Sequence, residues 1–364
     1  MKTLSKQLQT FFADKGCEFD SFRQLMMDTY SKELDGVSVK EANDKIRQIM
    51  FSLLELDEKD VRNPKLFRRS LSKHKAELFE VIEDVIEERQ LSGWGSDPFF
   101  MDFVETKNLA YGDVNEFYAE KECLLTAYRV AGDHHDYVLQ RLGYGESFSV
   151  KTATYGIAVG ADIKSFLTGN TDWTALIDAL YKAMDRKVKD IVYAELSAIG
   201  DKLPISTQFN KAMALSETTK PQVDELIEMV RGANDDAEVV VVGTPAAVRK
   251  LSALTDIKWV SGDMKNEKYQ TGKLGFYEGN PLMEIPQRFE KVAGKLVPMI
   301  ENNKLYILPK ASEKFIKFVN VGDPEILEIT DKGARIDDTM KFEYQQSFGA
   351  ASVVTQYMGL IEIQ

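Results

Sequence analysis

Cysteine and histidine are scarce in this chain of 364 residues. There are two cysteines, Cys17 and Cys123, and three histidines, and the cysteines form no CxxC pair. A disulfide scaffold is therefore excluded, and we expect structural thiols in a reducing compartment. The few histidines also argue against a mechanism that depends on histidine acid–base chemistry.

The common cofactor and nucleophile motifs are missing as well. The sequence contains no GxxxxGKS/T, GxSxG or HExxH, and the apolar run at residues 239–245 lacks the glycines of GxGxxG. His134-His135-Asp136 offers three metal-ligand types, but neighbours on a strand point to opposite faces, so we interpret it as a polar hairpin turn. We predict no catalytic residue, no metal site and no cofactor.

Long apolar runs are absent. The longest uncharged run, from Tyr344 to Ile361, contains three glutamines and several hydroxyl residues, so it predicts strands and not a membrane span. No continuous apolar stretch follows the first five residues, and we expect no signal peptide.

The composition is that of an ordinary folded protein. Hydrophobic residues make up 44% and charged residues 29%, and the length allows two or three domains. The net charge of −12 argues against a free basic nucleic-acid binder. It leaves room for a shell that faces nucleic acid on one side.

Residues 1–92 predict a helical segment. Three apolar stripes recur at helical spacing, and the last has an acidic opposite face that we interpret as solvated. The stripes are Phe19, Phe22, Leu25, Met26 and Tyr30; Ile46, Ile49, Met50, Leu53 and Leu54; and Leu78, Val81, Ile82, Val85 and Ile86. The sequence Ser92-Gly93-Trp94-Gly95, followed by Asp97-Pro98, predicts a helix end and a module boundary.

Aromatic, β-branched and glycine residues dominate between residues 99 and 167. We predict an extended hairpin with strands at 122–130 and from Tyr137, a turn at 132–136, and a further β segment at 147–159.

The apolar spacing from Thr171 to Ile199 then predicts one long helix, roughly 40 Å at about 1.5 Å per residue, with Gly200 as its stop.

The last third alternates helix and strand and then becomes β. Helices are predicted from Lys220-Pro221 and from Gly243-Thr244-Pro245, with a buried strand at 239–242 between them. A hairpin turn is predicted at Asp331-Lys332-Gly333. The remaining predicted strands are Leu282 to Ile285, Leu305 to Leu308, Phe315 to Val319, Glu325 to Ile329, Ile336 to Tyr344 and Val353 to Ile363.

This order of elements, together with several fragments, resembles a known family. The fragments are residues 239–248 (VVVVGTPAAV), 275–282 (GFYEGNPL), 303–309 (NKLYILP) and 342–350 (FEYQQSFGA). None is a strict motif, and the resemblance covers about residues 100 to 364. With these features the chain is similar to the major capsid proteins of tailed bacteriophages, whose fold is shared with encapsulins.

The resemblance implies an α+β fold with named parts. An E-loop hairpin, near residues 118–160, is expected to lie over the neighbouring subunit. The implied segments are a helical N-terminal arm or scaffold-like segment (1–92), the rest of the arm with the E-loop (93–170), the spine helix of the peripheral (P) domain (171–200), the axial (A) domain (201–318) and the closing P-domain strands (319–364).

The implied function is structural and not enzymatic. Copies would assemble through hexamers and pentamers into an icosahedral virion shell around double-stranded DNA, bound without sequence specificity, in the bacterial host cytoplasm. Portal, scaffold or decoration proteins are further implied partners, and a membrane is not. An extended hairpin is marginal alone, so its apolar residues are predicted assembly contacts. These candidates are Leu124, Tyr128, Tyr137, Leu139 and Phe148.

Three alternatives remain open on the sequence. The hairpin could pack on its own domain, the shell could be an encapsulin-like compartment for protein cargo, or the α/β part could be a soluble enzyme with an unrecognised site. Relatives either lose or keep an N-terminal helical segment, and we favour a retained arm. In a DNA-filled shell, we expect the basic residues to be biased toward the interior.

Overall fold

A computed structural model of the protein describes residues 5–15, 19–31, 38–57, 59–60, 63–119, 145–161, 173–202, 205–255, 262, 270–271, 273–292, 294–298, 300–310, 313–328 and 340–364. Helices and sheets are both present, so the predicted α+β class is confirmed. The chain forms two compact units, each built from several stretches. The first comprises 1–96, 153–188 and 321–348, and the second comprises 97–152, 189–320 and 349–364.

Four helices form the N-terminal part of the first unit. They are α1 (Lys6–Lys15), α2 (Phe19–Ser31), α3 (Val39–Leu53) and α4 (Pro64–Ser96). The start of α3 is fixed by a capping box: the Ser38 hydroxyl accepts from the Glu41 N–H at 3.3 Å, and the Glu41 carboxylate accepts from the Ser38 N–H at 3.1 Å. All five members of the predicted stripe on α4, from Leu78 to Ile86, are buried.

Helix α4 ends close to the predicted stop, one residue past Gly95 and directly before Asp97-Pro98. The helix continues through the two glycines to Ser96, and its irregular residue is His74, with φ −115° and ψ 17°. It ends before Asp97 because a residue that precedes proline is disfavoured in the α region. Asp97 instead caps a further helix, α5 (Pro98–Phe103), by accepting from the Phe99 N–H at 3.1 Å.

The predicted long helix is confirmed as α6 (Trp173–Lys202). It passes Gly200, the predicted stop, and ends two residues later. Its first part, to residue 188, belongs to the first unit, and its remainder to the second. Buried apolar side chains follow one stripe along its length: Leu180, Met184, Val188, Val192, Leu196 and Ile199.

A six-stranded sheet forms the centre of the second unit, in the order β5-β14-β11-β6-β8-β7. The middle strands β6 and β11 are antiparallel, with Val242 opposite Tyr306, and every residue of both is buried. Helices α7 (Lys220–Ala233) and α8 (Pro245–Ser252) contribute to its apolar core. The strands are β5 (Asn210–Met213), β6 (Val239–Gly243), β7 (Phe276–Tyr277), β8 (Asn280–Glu284), β11 (Lys304–Pro309) and β14 (Gly359–Ile363).

A four-stranded sheet has the order β1-β12-β13-β4. Its strands are β1 (Val104–Leu109), β4 (Ala153–Ala161), β12 (Ile316–Glu328) and β13 (Met340–Ser352). The two strands predicted within 315–329 are one strand, β12, because Gly322 absorbs the irregularity with a φ of 71° before the buried Pro324.

The strand predicted from Val353 to Ile363 is correct only from Gly359 onward. Between β13 and β14, the side chain of Asn234 takes the place of a strand partner. Its amide donates to the Tyr357 carbonyl at 2.7 Å and accepts from the Tyr357 N–H at 3.1 Å.

Two small sheets have two strands each. One pairs β2 (Phe117–Ala119) with β3 (Glu146–Phe148), and the other pairs β9 (Phe289–Val292) with β10 (Lys295–Pro298). The second was not predicted from the sequence. The predicted strands at 122–130 and from Tyr137, and the turn at 331–333, lie outside the described residues.

Candidate assembly surfaces

The β2–β3 pair stands at the base of the predicted E-loop. Phe117 and Phe148 are register partners, and their rings stack with centroids 5.8 Å apart and planes at 21°. The Lys107 ammonium lies 5.2 Å from the centroid of the Phe117 ring and donates to the Glu116 carbonyl at 2.9 Å. Phe148 is therefore half-buried against its own chain.

Polar contacts close the same base. The Asn115 amide donates to the Val150 carbonyl at 2.6 Å and accepts from the Val150 N–H at 3.4 Å. Gly145 passes so close to the opposite strand that a Cβ there would lie 2.4 Å from the Ala119 carbonyl oxygen. Glycine is required at this crossing, and the two ends of the intervening segment are held together.

Large apolar side chains are exposed on the approach to this base. Met101, Tyr111, Val114 and Tyr118 each keep more than half of their surface in solvent. Single exposed apolar side chains are common on protein surfaces, so these four are contact candidates only because of their position in the chain leading to the predicted E-loop.

The β9–β10 pair is a hairpin that closes through Gly294, whose φ is 82°. All four residues of β10 are exposed, and the exposed fractions reach 70% for Leu296 and 58% for Phe289. At its base, the Arg288 guanidinium lies 3.7 Å from an Asp190 carboxylate oxygen. Sequence reasoning missed this hairpin because β10 is exposed throughout, so no alternation of apolar and polar residues signals it.

Buried polar contacts tie helix α4 into the first unit. The Glu83 carboxylate accepts from the Ile326 N–H at 2.6 Å. Arg89 is buried, and its guanidinium lies 4.0 Å from the centroid of the Tyr181 ring and 3.7 Å from an Asp178 carboxylate oxygen. Burial lowers the pKa of Arg89, and the negative charge and hydrogen bonding of these neighbours oppose that shift.

The described residues offer little chemistry beyond packing. The buried Tyr277 hydroxyl donates to Asp224 at 2.9 Å, and burial, followed by this bond, raises the pKa of Tyr277 well above its usual value. Its phenol therefore stays protonated and serves as a fixed donor. No cluster of three metal-binding side chains occurs in the part of the chain that the structure describes, and none of its helices is long and apolar enough to cross a membrane.

Comparison with known families decides the identity. The family described as SPbeta prophage-derived putative capsid protein YonB matches residues 21–362. The chain belongs to this capsid protein family. The resemblance to phage capsid proteins predicted from the sequence is therefore confirmed, and the chain is a structural capsid protein of phage type.

Solved structures with similar folds include phage capsids and encapsulins. A virus-like particle from Pyrococcus furiosus is 16% identical over 76% of this chain and 98% of that chain, with a TM-score of 0.44. The mature capsid of bacteriophage PhiM1 is 13% identical over 74% and 87%, with a TM-score of 0.47. The SrpI encapsulin from Synechococcus elongatus PCC 7942 is 9% identical over 73% and 87%, with a TM-score of 0.40. A search of the curated proteins finds no match.

The predicted assembly contacts of this capsid protein stay predictions. Phe148 lies on β3, stacked on Phe117. Leu124, Tyr128, Tyr137 and Leu139 lie outside the described residues. The exposed residues of the β9–β10 hairpin are further candidates that were not identified from the sequence.

Proposed function

We propose that this capsid protein is the major head subunit, and that its copies assemble through hexamers and pentamers into an icosahedral shell around phage double-stranded DNA. The observation that carries the proposal is the capsid family match, which extends over residues 21–362. The two small sheets support it, since two-stranded ladders are marginal alone and gain stability from partner surface.

The proposed division of labour follows the five segments expected from the sequence: 1–92, 93–170, 171–200, 201–318 and 319–364. The segment between β2 and β3 acts as the E-loop and lies over the neighbouring subunit. Its apolar residues make the contact, while Phe148 anchors the loop on Phe117. The helical arm is retained in the shell, a role supported by the hydrogen bond that Glu83 accepts from Ile326 and by the ion pair between Arg89 and Asp178.

The subunit has no enzymatic role in this proposal. It contacts DNA without sequence specificity, and its basic residues are biased toward the shell interior, because packaged DNA repels an acidic wall. Portal, scaffold or decoration proteins complete the particle, which assembles in the bacterial host cytoplasm.

Electron microscopy and light scattering of the full-length protein test the proposal. We expect rings and closed shells, and a monodisperse monomer at every concentration up to the solubility limit contradicts it. Nucleic acid in shells from infected or induced cells supports the phage role, whereas shells filled with one protein cargo indicate an encapsulin-like compartment.

A double variant tests the E-loop role. Leu124→Asp with Tyr128→Asp should raise the concentration needed for assembly by about tenfold or more, as the loss of central interface anchors does. Lys250→Asp, an exposed position on α8, is the control and should assemble normally. Normal assembly of the double variant contradicts the assignment of the E-loop contacts.

A further inference from the structure

The β9–β10 hairpin exposes an unusual amount of apolar surface. Phe289, Leu296 and Val297 are 58%, 70% and 44% exposed, and no third strand pairs with the hairpin among the described residues. Apolar side chains concentrated on such a small element are typical of a contact site.

The base of the hairpin is held rigidly. The Gln287 amide donates to the Ile300 carbonyl at 2.6 Å and to the Asn302 side chain at 2.7 Å. Its oxygen accepts from the N–H groups of Arg288 at 2.9 Å and Ile300 at 3.2 Å. One side chain therefore joins the chain entering the hairpin to the chain leaving it, and the exposed surface is presented in a fixed position.

The charge of the hairpin differs from that of the chain. Residues 286–300 contain three basic residues and one acid, in a chain whose net charge is −12. Arg288 is engaged by Asp190 at the base, whereas Lys295 is exposed on the strand that carries Leu296 and Val297. Because neighbours on a strand point to opposite faces, Lys295 shares its face of the hairpin with Val297, whereas Leu296 lies on the other face with Phe289.

The complementary charge lies on α7 and the turn that follows it. Exposed acids occupy this region: Glu225, Glu228, Asp235, Asp236 and Glu238.

The two basic residues of α7 are engaged elsewhere. Lys220 contacts the Glu278 carboxylate at 2.5 Å, and Arg231 donates to the Asn280 side chain at 2.7 Å. The apolar group beside the acids is Tyr357, which is 45% exposed. Its backbone is hydrogen-bonded by the side chain of Asn234, the residue directly before Asp235.

We infer that the β9–β10 hairpin of one copy docks on this acidic face of α7 in a neighbouring copy, with Lys295 among the carboxylates and Val297, on the same face of the hairpin, against Tyr357. The inference rests on the proposed shell function. Because the two surfaces differ and both belong to every copy, the contact is head-to-tail, the type that closes into rings. Nucleic acid is a poorer occupant, because binding to phosphates depends on several free cations.

A charge swap tests the contact. Lys295→Glu with Val297→Ser should raise the concentration needed for ring and shell assembly by about tenfold or more, as the loss of an anchor and a paired charge does. Adding Glu225→Lys and Glu228→Lys to this variant should restore much of the lost assembly. Glu225→Lys and Glu228→Lys without the hairpin changes should weaken assembly. A circular dichroism melt unchanged from that of the wild type establishes that each variant is folded.

The outcomes separate this inference from the proposed function. If the wild-type protein never assembles, the proposed function fails. If it assembles and the hairpin variant assembles equally well, the hairpin contact is overturned. Loss of assembly without rescue overturns α7 as the receiving face. Normal shells that package less DNA place the hairpin against nucleic acid and also overturn the inference.

If the charge variants do not fold, a deletion replaces them. Replacing residues 288–299 by two glycines retains Gln287 and Ile300 at the base of the hairpin and removes the contact surface. We expect a folded subunit that fails to form rings, and ring formation by this variant refutes the contact.

Discussion

The N-terminal helices and the six-stranded sheet are stabilised in different ways. Helix α4 buries charged side chains beside its apolar stripe, among them Glu77, Asp84 and Arg89. The core of the sheet is apolar, with Val241 and Leu305 at 1% exposure or less. Helices can satisfy charges locally through caps and ion pairs, whereas a central strand buried on both faces has no place for an unpaired charge. The stability of the helices should therefore depend on charge and pH, whereas the stability of the sheet should depend on the volume of its buried side chains.

The largest expected effect is a cavity in the sheet. Leu305→Ala should lower the free energy of unfolding by about 2–5 kcal/mol, because the removed atoms leave a gap that the surrounding strands cannot fill. Chemical denaturation measures the loss. Leu296→Ala is the matched control when the unassembled subunit is denatured, since that side chain is 70% exposed, and its effect should stay within about 0.5 kcal/mol. Equal effects at the two positions contradict the comparison.

A smaller effect is expected where α4 meets Asp178. Arg89→Met should destabilise by about 1–3 kcal/mol, because the change removes the buried one of two cations that contact the largely shielded Asp178 carboxylate. Lys182→Met removes a second partner of the same carboxylate, 2.5 Å away, but this lysine is exposed, so a change of about 0.5 kcal/mol or less is expected. Hydrogen exchange of the α4 backbone amides measures the effect of each substitution. Similar exchange in the two variants contradicts a special role for the buried arginine.

The smallest expected effect is a pH response of the helices. Hydrogen bonds from Ser38 lower the pKa of Glu41, and hydrogen bonds from Lys73 and His74 lower the pKa of Glu55, from the ordinary value of 4.5. A carboxyl with a lowered folded-state pKa stabilises the fold above its ordinary pKa, and this contribution is lost as the pH falls through the folded value. Protection of α3 should therefore decrease below about pH 4.5.

Gln substitutions provide the control for that response. The variant with both Glu41→Gln and Glu55→Gln should be less protected at pH 7 and should lose the acid-dependent part of the change. Protection of β6 and β11 should be unaffected by the substitutions. An acid response of α3 that is the same in the variant and the wild type contradicts the assignment.

Local patterns were sufficient to predict the elements that bury one face or both. The stripe on α4, the long helix α6 and the strand at 239–242 all have a clear apolar period or run, and all are present. The failures arose where the deciding contact is distant in sequence. The gap between β13 and β14 depends on Asn234, more than 100 residues away, and no local pattern reports that bond.

The assembly contacts were harder to predict than the fold. The E-loop candidates followed from the resemblance to a family and from apolar residues in a hairpin, and they stay predictions. The β9–β10 hairpin gave no signal because β10 is exposed along its whole length, and an exposed strand is free of the alternation that burial imposes. An interface residue is selected by the partner, so the sequence of one copy shows only that an apolar side chain is present.

The hydrogen bonds of Gln287 also bear on how this chain can evolve. They join the residues on either side of the hairpin to each other, so a change in the length or sequence of residues 289–299 should leave the base in place. We therefore expect that a chain with glutamine at this position can carry a different hairpin, and so a different neighbour contact, without a change in the fold of the domain. The same pair of positions, Gln287 and Ile300, marks where a foreign peptide can be grafted into the subunit.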